Sequence, residues 1–181
     1  LAGFFRDIIM VMRLVLVLNN IRSTYNVGAI LRTAEGLGVA KVVYAGYTPR
    51  YNDNSLLPHL RAKLNRQIER SAIGAEKMVA QETASDLEKW LDAQKEADWT
   101  VVGLENNLAP EEQGRRVILD SESEQKLAAD KIVLVLGEEV NGIPASVREK
   151  MDYFLVFLMA GQKESFNVSV ATGIALWRLL N

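Results

Sequence analysis

The sequence predicts an α/β fold with a mainly parallel sheet and helices on both faces. Three observations predict it. Five short runs have strand length and apolar or β-branched content, at residues 14–18, 42–45, 101–104, 132–136 and 154–158. Each run is apolar without polar alternation, which suits strands covered on both faces. Helical patterns lie between the runs, and alternation of strand and helix along one chain builds a parallel sheet.

The elements follow in order. After the first strand, Val27, Ile30, Leu31, Ala34 and Leu37 recur at i, i+3, i+4, i+7 and i+10, so they share one helix face. Gly36 and Gly38 bracket the end of that helix. Residues 65–79 and 84–97 form two further helical stretches. Residues 106–130 are polar and turn-rich, with a candidate short strand at 117–119, and read as an excursion within one domain. A last helix over 168–180 is apolar on most sides and is expected to be well buried.

Composition narrows the function. A chain of 181 residues is about one domain, read here as spanning 1–181. It buries roughly 70% of the surface its unfolded form exposes, so it needs no staple. There is no cysteine and a single histidine, His59, in a polar segment. That excludes a thiol nucleophile, a disulfide scaffold and a Cys/His metal cluster, and no metal is expected. Hydrophobic residues make up 49% and the net charge is −2, so any nucleic-acid binding rests on local patches. No apolar run approaches the ~18 residues of a membrane span. The first residues look superficially like a signal sequence, but Arg6, Asp7 and Arg13 interrupt the apolar stretch and no small-residue cleavage site follows. Met10 and Met12 are alternative starts, and residues 1–9 are set aside as a candidate non-native or disordered extension. These features point to the cytoplasm.

Nucleotide and hydrolase fingerprints are missing. No G-x-G-x-x-G follows a strand, and Gly36-Leu37-Gly38 closes a helix instead of opening one. Gly137 and Gly142 have the spacing of a phosphate loop, but Ile143-Pro144 stands where Lys-Ser/Thr is required. There is neither a G-x-S-x-G nor a Ser/His/Asp set.

Three segments carry the chemical signal. The first, residues 19–35, follows a strand and opens a helix. Arg32 points about 160° from the centre of the apolar face, so it is not a core residue. Asn26 sits where an amide can cap the helix N-terminus. An Arg beyond the first strand's carboxyl end is either a solvated helix residue or a group aimed at an anion. In the second segment, residues 132–144, a buried strand runs into Gly137, Glu138 and Glu139. Gly137 is expected to let a ligand approach the backbone closely, and Pro144 suits the first turn of a helix. The third, residues 157–171, leads from a strand through a glycine-containing loop into the last helix. Ser165, Asn167 and Ser169 are three cappers within five residues, more than one helix start requires.

In this order and spacing, N-x-G-A-I-x-R-T-A, L-G-x-E-x-x-G-I and S-x-N-V-S-V-A resemble the three motifs of the SpoU (TrmH-like) RNA ribose 2′-O-methyltransferases of the SPOUT class. The resemblance runs from about residue 14 to 180. It implies an α/β domain with a C-terminal trefoil knot, bent S-adenosylmethionine as cofactor, and a homodimer with the active site at the subunit interface. By the same resemblance Asn26, Arg32, Glu139, Ser165 and Asn167 are the catalytic set. The cofactor loops are Leu104–Glu105, Leu136–Gly142 (with Gly137 and Glu138) and Phe157–Asn167 (with Leu158, Met159, Gly161, Ser165 and Phe166). Phe157-Leu158-Met159 and Phe166 depart from the family's usual residues yet keep an apolar character.

The residue chemistry fits that implication. Methyl transfer from a sulfonium needs in-line positioning and a nucleophile relieved of its proton. Arg32 would act either in a base-like role assisted by substrate phosphate or by holding the ribose-phosphate and favouring alkoxide character. RNA contacts are expected from Arg22, Arg32, Arg50, Arg61, Lys63 and Arg66. A minimal chain with little room before Leu14 favours tRNA slightly over ribosomal RNA as substrate. Two alternatives stay open: methylation of an RNA base, and a catalytically silent RNA-binding or assembly protein.

Overall fold

The computed structural model describes residues 13–118 and 129–180, so the extension at 1–9 and residues 119–128 of the polar excursion lie outside the described residues. The strands are β1 Arg13–Asn19, β2 Lys41–Ala45, β3 Gln81–Ala84, β4 Thr100–Leu104, β5 Arg116–Ile118, β6 Lys131–Leu136 and β7 Tyr153–Val156. The helices are α1 Thr24–Gly36, α2 Pro58–Ala72, α3 Leu87–Glu96, α4 Ala145–Arg148 and α5 Val168–Leu180. The strands form one sheet in the order β3-β2-β1-β6-β4-β7-β5. Every pairing is parallel.

Both faces of the sheet are covered, as the continuous apolar strands require. Leu14, Leu16 and Leu18 of β1, with Ile132, Leu134 and Leu136 of β6, face one way and pack with α1, α2 and α5 through Ile30, Leu31, Ile68 and Leu176. The alternate residues Val15, Val17, Val133 and Val135 pack on α3 and α4 through Leu91 and Val147. Each fully buried Leu or Ile contributes about 1.5–3 kcal/mol relative to exposure, so these two layers dominate the stability.

Four details differ from the sequence reading. β3 was not anticipated, because Gln81-Glu82-Thr83 is polar; it is an edge strand with three of its four residues partly or wholly exposed. α2 begins earlier, with Pro58 at its first turn, and stops at Ala72 because Ile73 adopts a left-handed φ of 51°. β7 ends at Val156, so Phe157 and Leu158 leave the sheet. α5 has the expected bounds, but it is buried on one side only: Val170, Ile174 and Trp177 are exposed.

Candidate active site at the carboxyl edge of the sheet

Because the strands are parallel, the carboxyl ends of β1, β4, β6 and β7 gather at one edge, where ligands of such sheets bind. The three motif segments all emerge there. Glu139, in the loop after β6, is the tie between them. Its carboxylate accepts from the Asn26 amide at 2.9 Å, from the Arg22 backbone N–H at 3.2 Å and from that of Ser23 at 3.4 Å. Burial pushes this carboxyl's pKa up, but the Asn26 amide and the backbone N–H groups outweigh it, and the net shift is downward. Glu139 is thus held as an anion by neutral donors.

Asn26 links the first and third segments. Its amide oxygen accepts from the Asn167 amide at 3.3 Å. Asn167 in turn uses its own oxygen on the backbone N–H of Ser169, at 2.9 Å, and on that residue's hydroxyl. Asn167 therefore caps α5 and reaches segment one at the same time. Asn26 is not the cap of α1; Ser23 is, with its hydroxyl accepting from the Asn26 N–H at 3.3 Å. With its amide engaged at both ends, Asn26 joins all three segments. Arg32 is exposed on α1 and has no ion pair or hydrogen bond to any described residue, so its guanidinium is available to an incoming group.

A narrow cleft opens between these loops, with Leu104, Leu136, Phe157 and Phe166 among its apolar walls. The rings of Phe157 and Phe166 meet edge to face at 5.6 Å. Glu105, Gly137, Gly142 and Ser165 complete most of the expected cofactor set around it. The remaining expected cofactor residues lie beside the cleft. Leu158 and Met159 line a neighbouring depression with Glu164, and Gly161 is exposed on the third loop. Glu138 is engaged within its own turn and with segment one, accepting from the Asn141 amide at 2.5 Å and pairing with Arg22 at 3.7 Å. Asn167 sits at the Asn26 contact described above.

Gly137 lines the cleft, and the fold gives a second reason for a glycine there. A Cβ there would lie 2.3 Å from the Gly142 carbonyl carbon and 2.4 Å from the Ile143 nitrogen. The protein's own backbone approaches Gly137, closing the 138–142 turn through mutual backbone bonds of 2.9 and 3.0 Å between Glu138 and Gly142. Glu105 holds the same turn from the β4 side: it accepts from the Ile143 N–H at 3.1 Å and pairs with Arg148 at 3.4 Å.

Asn106 was missed by the sequence reading. Its amide accepts from the Phe157 N–H at 2.8 Å and donates to the carbonyls of Phe157, at 3.2 Å, and Glu164, at 2.9 Å. It pins the third loop to β4. The available signal was a polar residue just past a parallel strand's carboxyl end. Val168 and Ala171 also line the cleft.

The cations divide into engaged and open ones. Arg50 donates to Asp53 at 2.8 and 3.1 Å and to Thr83 at 3.1 Å, and Arg61 donates to Asn54 at 2.6 Å. Lys63 and Arg66 are exposed on α2 and form no ion pair with any described residue. Among the described residues no group of three or more metal-ligating side chains gathers, and no helix is long and apolar enough to cross a membrane.

The sequence pattern of the SpoU rRNA Methylase family matches residues 13–177. This chain belongs to that family. Among curated relatives, the 23S rRNA (guanosine-2′-O-)-methyltransferase RlmB of Pseudomonas aeruginosa is 32% identical over 167 residues, covering 92% of this chain and 58% of that protein. The protein of the same name from Pectobacterium atrosepticum is 30% identical, with 92% and 59% covered. The SpoU chain described here thus spans less than two thirds of these relatives' length. Among solved structures, the A. aeolicus TrmH/SpoU tRNA modifying enzyme superposes with a TM-score of 0.71 at 24% identity, covering 94% of this chain and 77% of that one. The AdoMet-bound rRNA methyltransferase from Sinorhizobium meliloti gives 0.70 at 22% identity, covering 92% and 55%. These structural likenesses establish a shared fold.

Proposed function

We infer that this SpoU chain is an RNA methyltransferase that uses S-adenosylmethionine to methylate a ribose 2′-hydroxyl. The observation that carries the reading is the hydrogen-bonded chain Glu139–Asn26–Asn167, which joins the three motif segments across 113 and 141 residues of sequence. The cleft beside it fits the cofactor's chemistry: apolar walls for an adenine, and strand-end backbone at Leu104 and Leu136 for its polar edge. When bound, S-adenosylmethionine supplies an electrophilic methyl group on a sulfonium whose leaving thioether is neutral. Arg32 holds the ribose-phosphate and stabilises negative charge developing on the 2′-oxygen as its proton departs. Glu139 fixes Asn26, which fixes Asn167 and with it the start of α5. Ser165, exposed on the cleft wall, orients the substrate.

The relatives named for 23S rRNA support ribosomal RNA over the tRNA that the sequence reading favoured. The exposed strip Val170, Ile174 and Trp177 on α5 supports a homodimer, and the bacterial relatives support a cytoplasmic enzyme. The trefoil knot implied by the family belongs to the same proposal. The test is incubation with methyl-labelled S-adenosylmethionine and unmodified ribosomal RNA or tRNA, followed by alkaline digestion. Ribose methylation blocks cleavage at the modified nucleotide, so the label is expected in alkali-resistant dinucleotides. Label in mononucleotides would mean base methylation, and no label a silent binder.

A further inference from the structure

Tyr47 lies outside every motif segment, yet it is built into the site. It is 57% exposed. Its backbone is held on both sides. The Tyr47 N–H donates to the Asn20 side-chain oxygen at 3.3 Å. Next to it, the Thr48 hydroxyl donates to the Leu18 carbonyl at 2.8 Å and accepts from the Ile21 N–H at 3.0 Å. Gly46 turns at φ 60°, where a Cβ would sit 1.8 Å from the Asn20 oxygen. The turn after β2 is therefore stapled to the first motif segment, directly before Arg22. Thr48 is 5% exposed while its neighbour Tyr47 stands in solvent. The bonds of Thr48 fasten this turn to the buried residues Leu18 and Ile21, whereas the Tyr47 ring stands outside the core. No aromatic or cation contact covers the ring among the described residues, and its hydroxyl faces Glu138, the partner of Arg22.

We propose that Tyr47 is the platform on which the base of the target nucleotide stacks. The proposal rests on the RNA-methyltransferase reading. A ribose presented to Arg32 must have its base unstacked from its neighbours, and proteins receive splayed bases on aromatic faces. Phosphate contacts from Arg22 and Arg32 position the strand but cannot hold a base. A preordered ring does so with little entropy loss, and every base has a π-face to offer. Tyr47 touches substrate without taking part in the proton or methyl transfer.

The test uses the full chain with Tyr47→Ala, Tyr47→Phe and Tyr47→Trp. Steady-state methylation of unmodified ribosomal RNA gives KM and kcat. Calorimetry gives S-adenosylmethionine affinity, and melting reports folding. Binding of a single-stranded RNA carrying 2-aminopurine reports stacking through fluorescence quenching. Tyr47→Ala is expected to raise KM for RNA about tenfold and to reduce the quenching, with melting and cofactor affinity unchanged. Tyr47→Phe and Tyr47→Trp should keep near wild-type values, because the ring and not the hydroxyl carries the contact. An unchanged KM and quenching in Tyr47→Ala, or a Tyr47→Phe variant as impaired as Tyr47→Ala, overturns the platform. Wild-type protein that transfers no methyl but shows Tyr47-dependent quenching would sink the enzyme reading and leave the platform standing.

Discussion

Two carboxylates tie the loop between β6 and α4 to its neighbours, Glu105 from β4's carboxyl end and Glu139 from within the loop, and they are served by different partners. Glu105 holds Ile143 from the β4 side and is neutralised by Arg148. Arg148 also binds Glu112 through two nitrogens and lies 5.1 Å over the Phe154 ring, with Arg115 5.0 Å from the same ring. Glu139 reaches from the loop to Arg22 and Ser23, and its partners are an amide and backbone N–H groups. The first arrangement is a closed ion network, which fixes structure. The second leaves its anion uncompensated by a bonded cation and spends its hydrogen bonds on aligning Asn26 and Asn167. Under the proposed function, charge pairing separates what holds the loop from what orients the chemistry.

The largest stability effect should come from the closed network. The Arg148 and Glu112 side chains are 15% and 7% exposed. Arg148→Ala strands two carboxylates and should cost about 3–5 kcal/mol, read as a lowered denaturation midpoint. If stability is unchanged, the distinction between the two carboxylates fails. Glu139→Gln should do the reverse. It removes a charge from an exposed site, so stability should move within about 1 kcal/mol. Methyl transfer should nonetheless fall roughly 10- to 100-fold through misalignment of Asn26 and Asn167. Rates and melting curves measured on one preparation decide the point.

Acid sharpens the same comparison with a smaller effect. Glu112 is pulled below its ordinary pKa, chiefly by its hydrogen bonds with Arg148, against an opposing push from burial. A carboxyl lowered in the folded state adds stability that is fully present above its unfolded pKa. That stability is lost as pH falls through the folded value. Melting temperature should therefore hold steady from neutral pH to the ordinary carboxylate range and decline below it. Glu112→Gln should flatten that decline. An equally steep decline in Glu112→Gln would place the acid sensitivity elsewhere.

Much of this was legible in the sequence, for physical reasons. Continuous apolar runs located β1, β2, β4 and β6 because both sheet faces are covered. The polar edge strand β3 escaped, since an edge needs no apolar character to pair on one side. Position opposite the apolar face correctly placed Arg32 in solvent. The burial of α5 was overestimated, because periodicity shows which residues are apolar and not which are covered. The roles of Gly137 and Asn106 depend on backbone brought together from distant segments, and local sequence carries no trace of that. Capping preference marked Asn26 as notable, but only the fold revealed that its partners are Glu139 and Asn167.

The central claim is that Arg32 acts on the reacting ribose in a site aligned by Glu139, Asn26 and Asn167. It is tested most directly by single-turnover methyl transfer to unmodified ribosomal RNA, with wild type and Arg32→Ala compared at saturating S-adenosylmethionine. An exposed arginine contributes little to folding, within about 0.5 kcal/mol, so melting and cofactor affinity should stay at wild-type values. The transfer rate should fall by roughly 100-fold or more, as when a group that stabilises transition-state charge is removed. Arg32→Lys should recover part of it at most, because an ammonium cannot reproduce the planar fork. An Arg32→Ala variant that transfers methyl groups at near wild-type rate would contradict the account, and Arg32 would be a solvated helix residue.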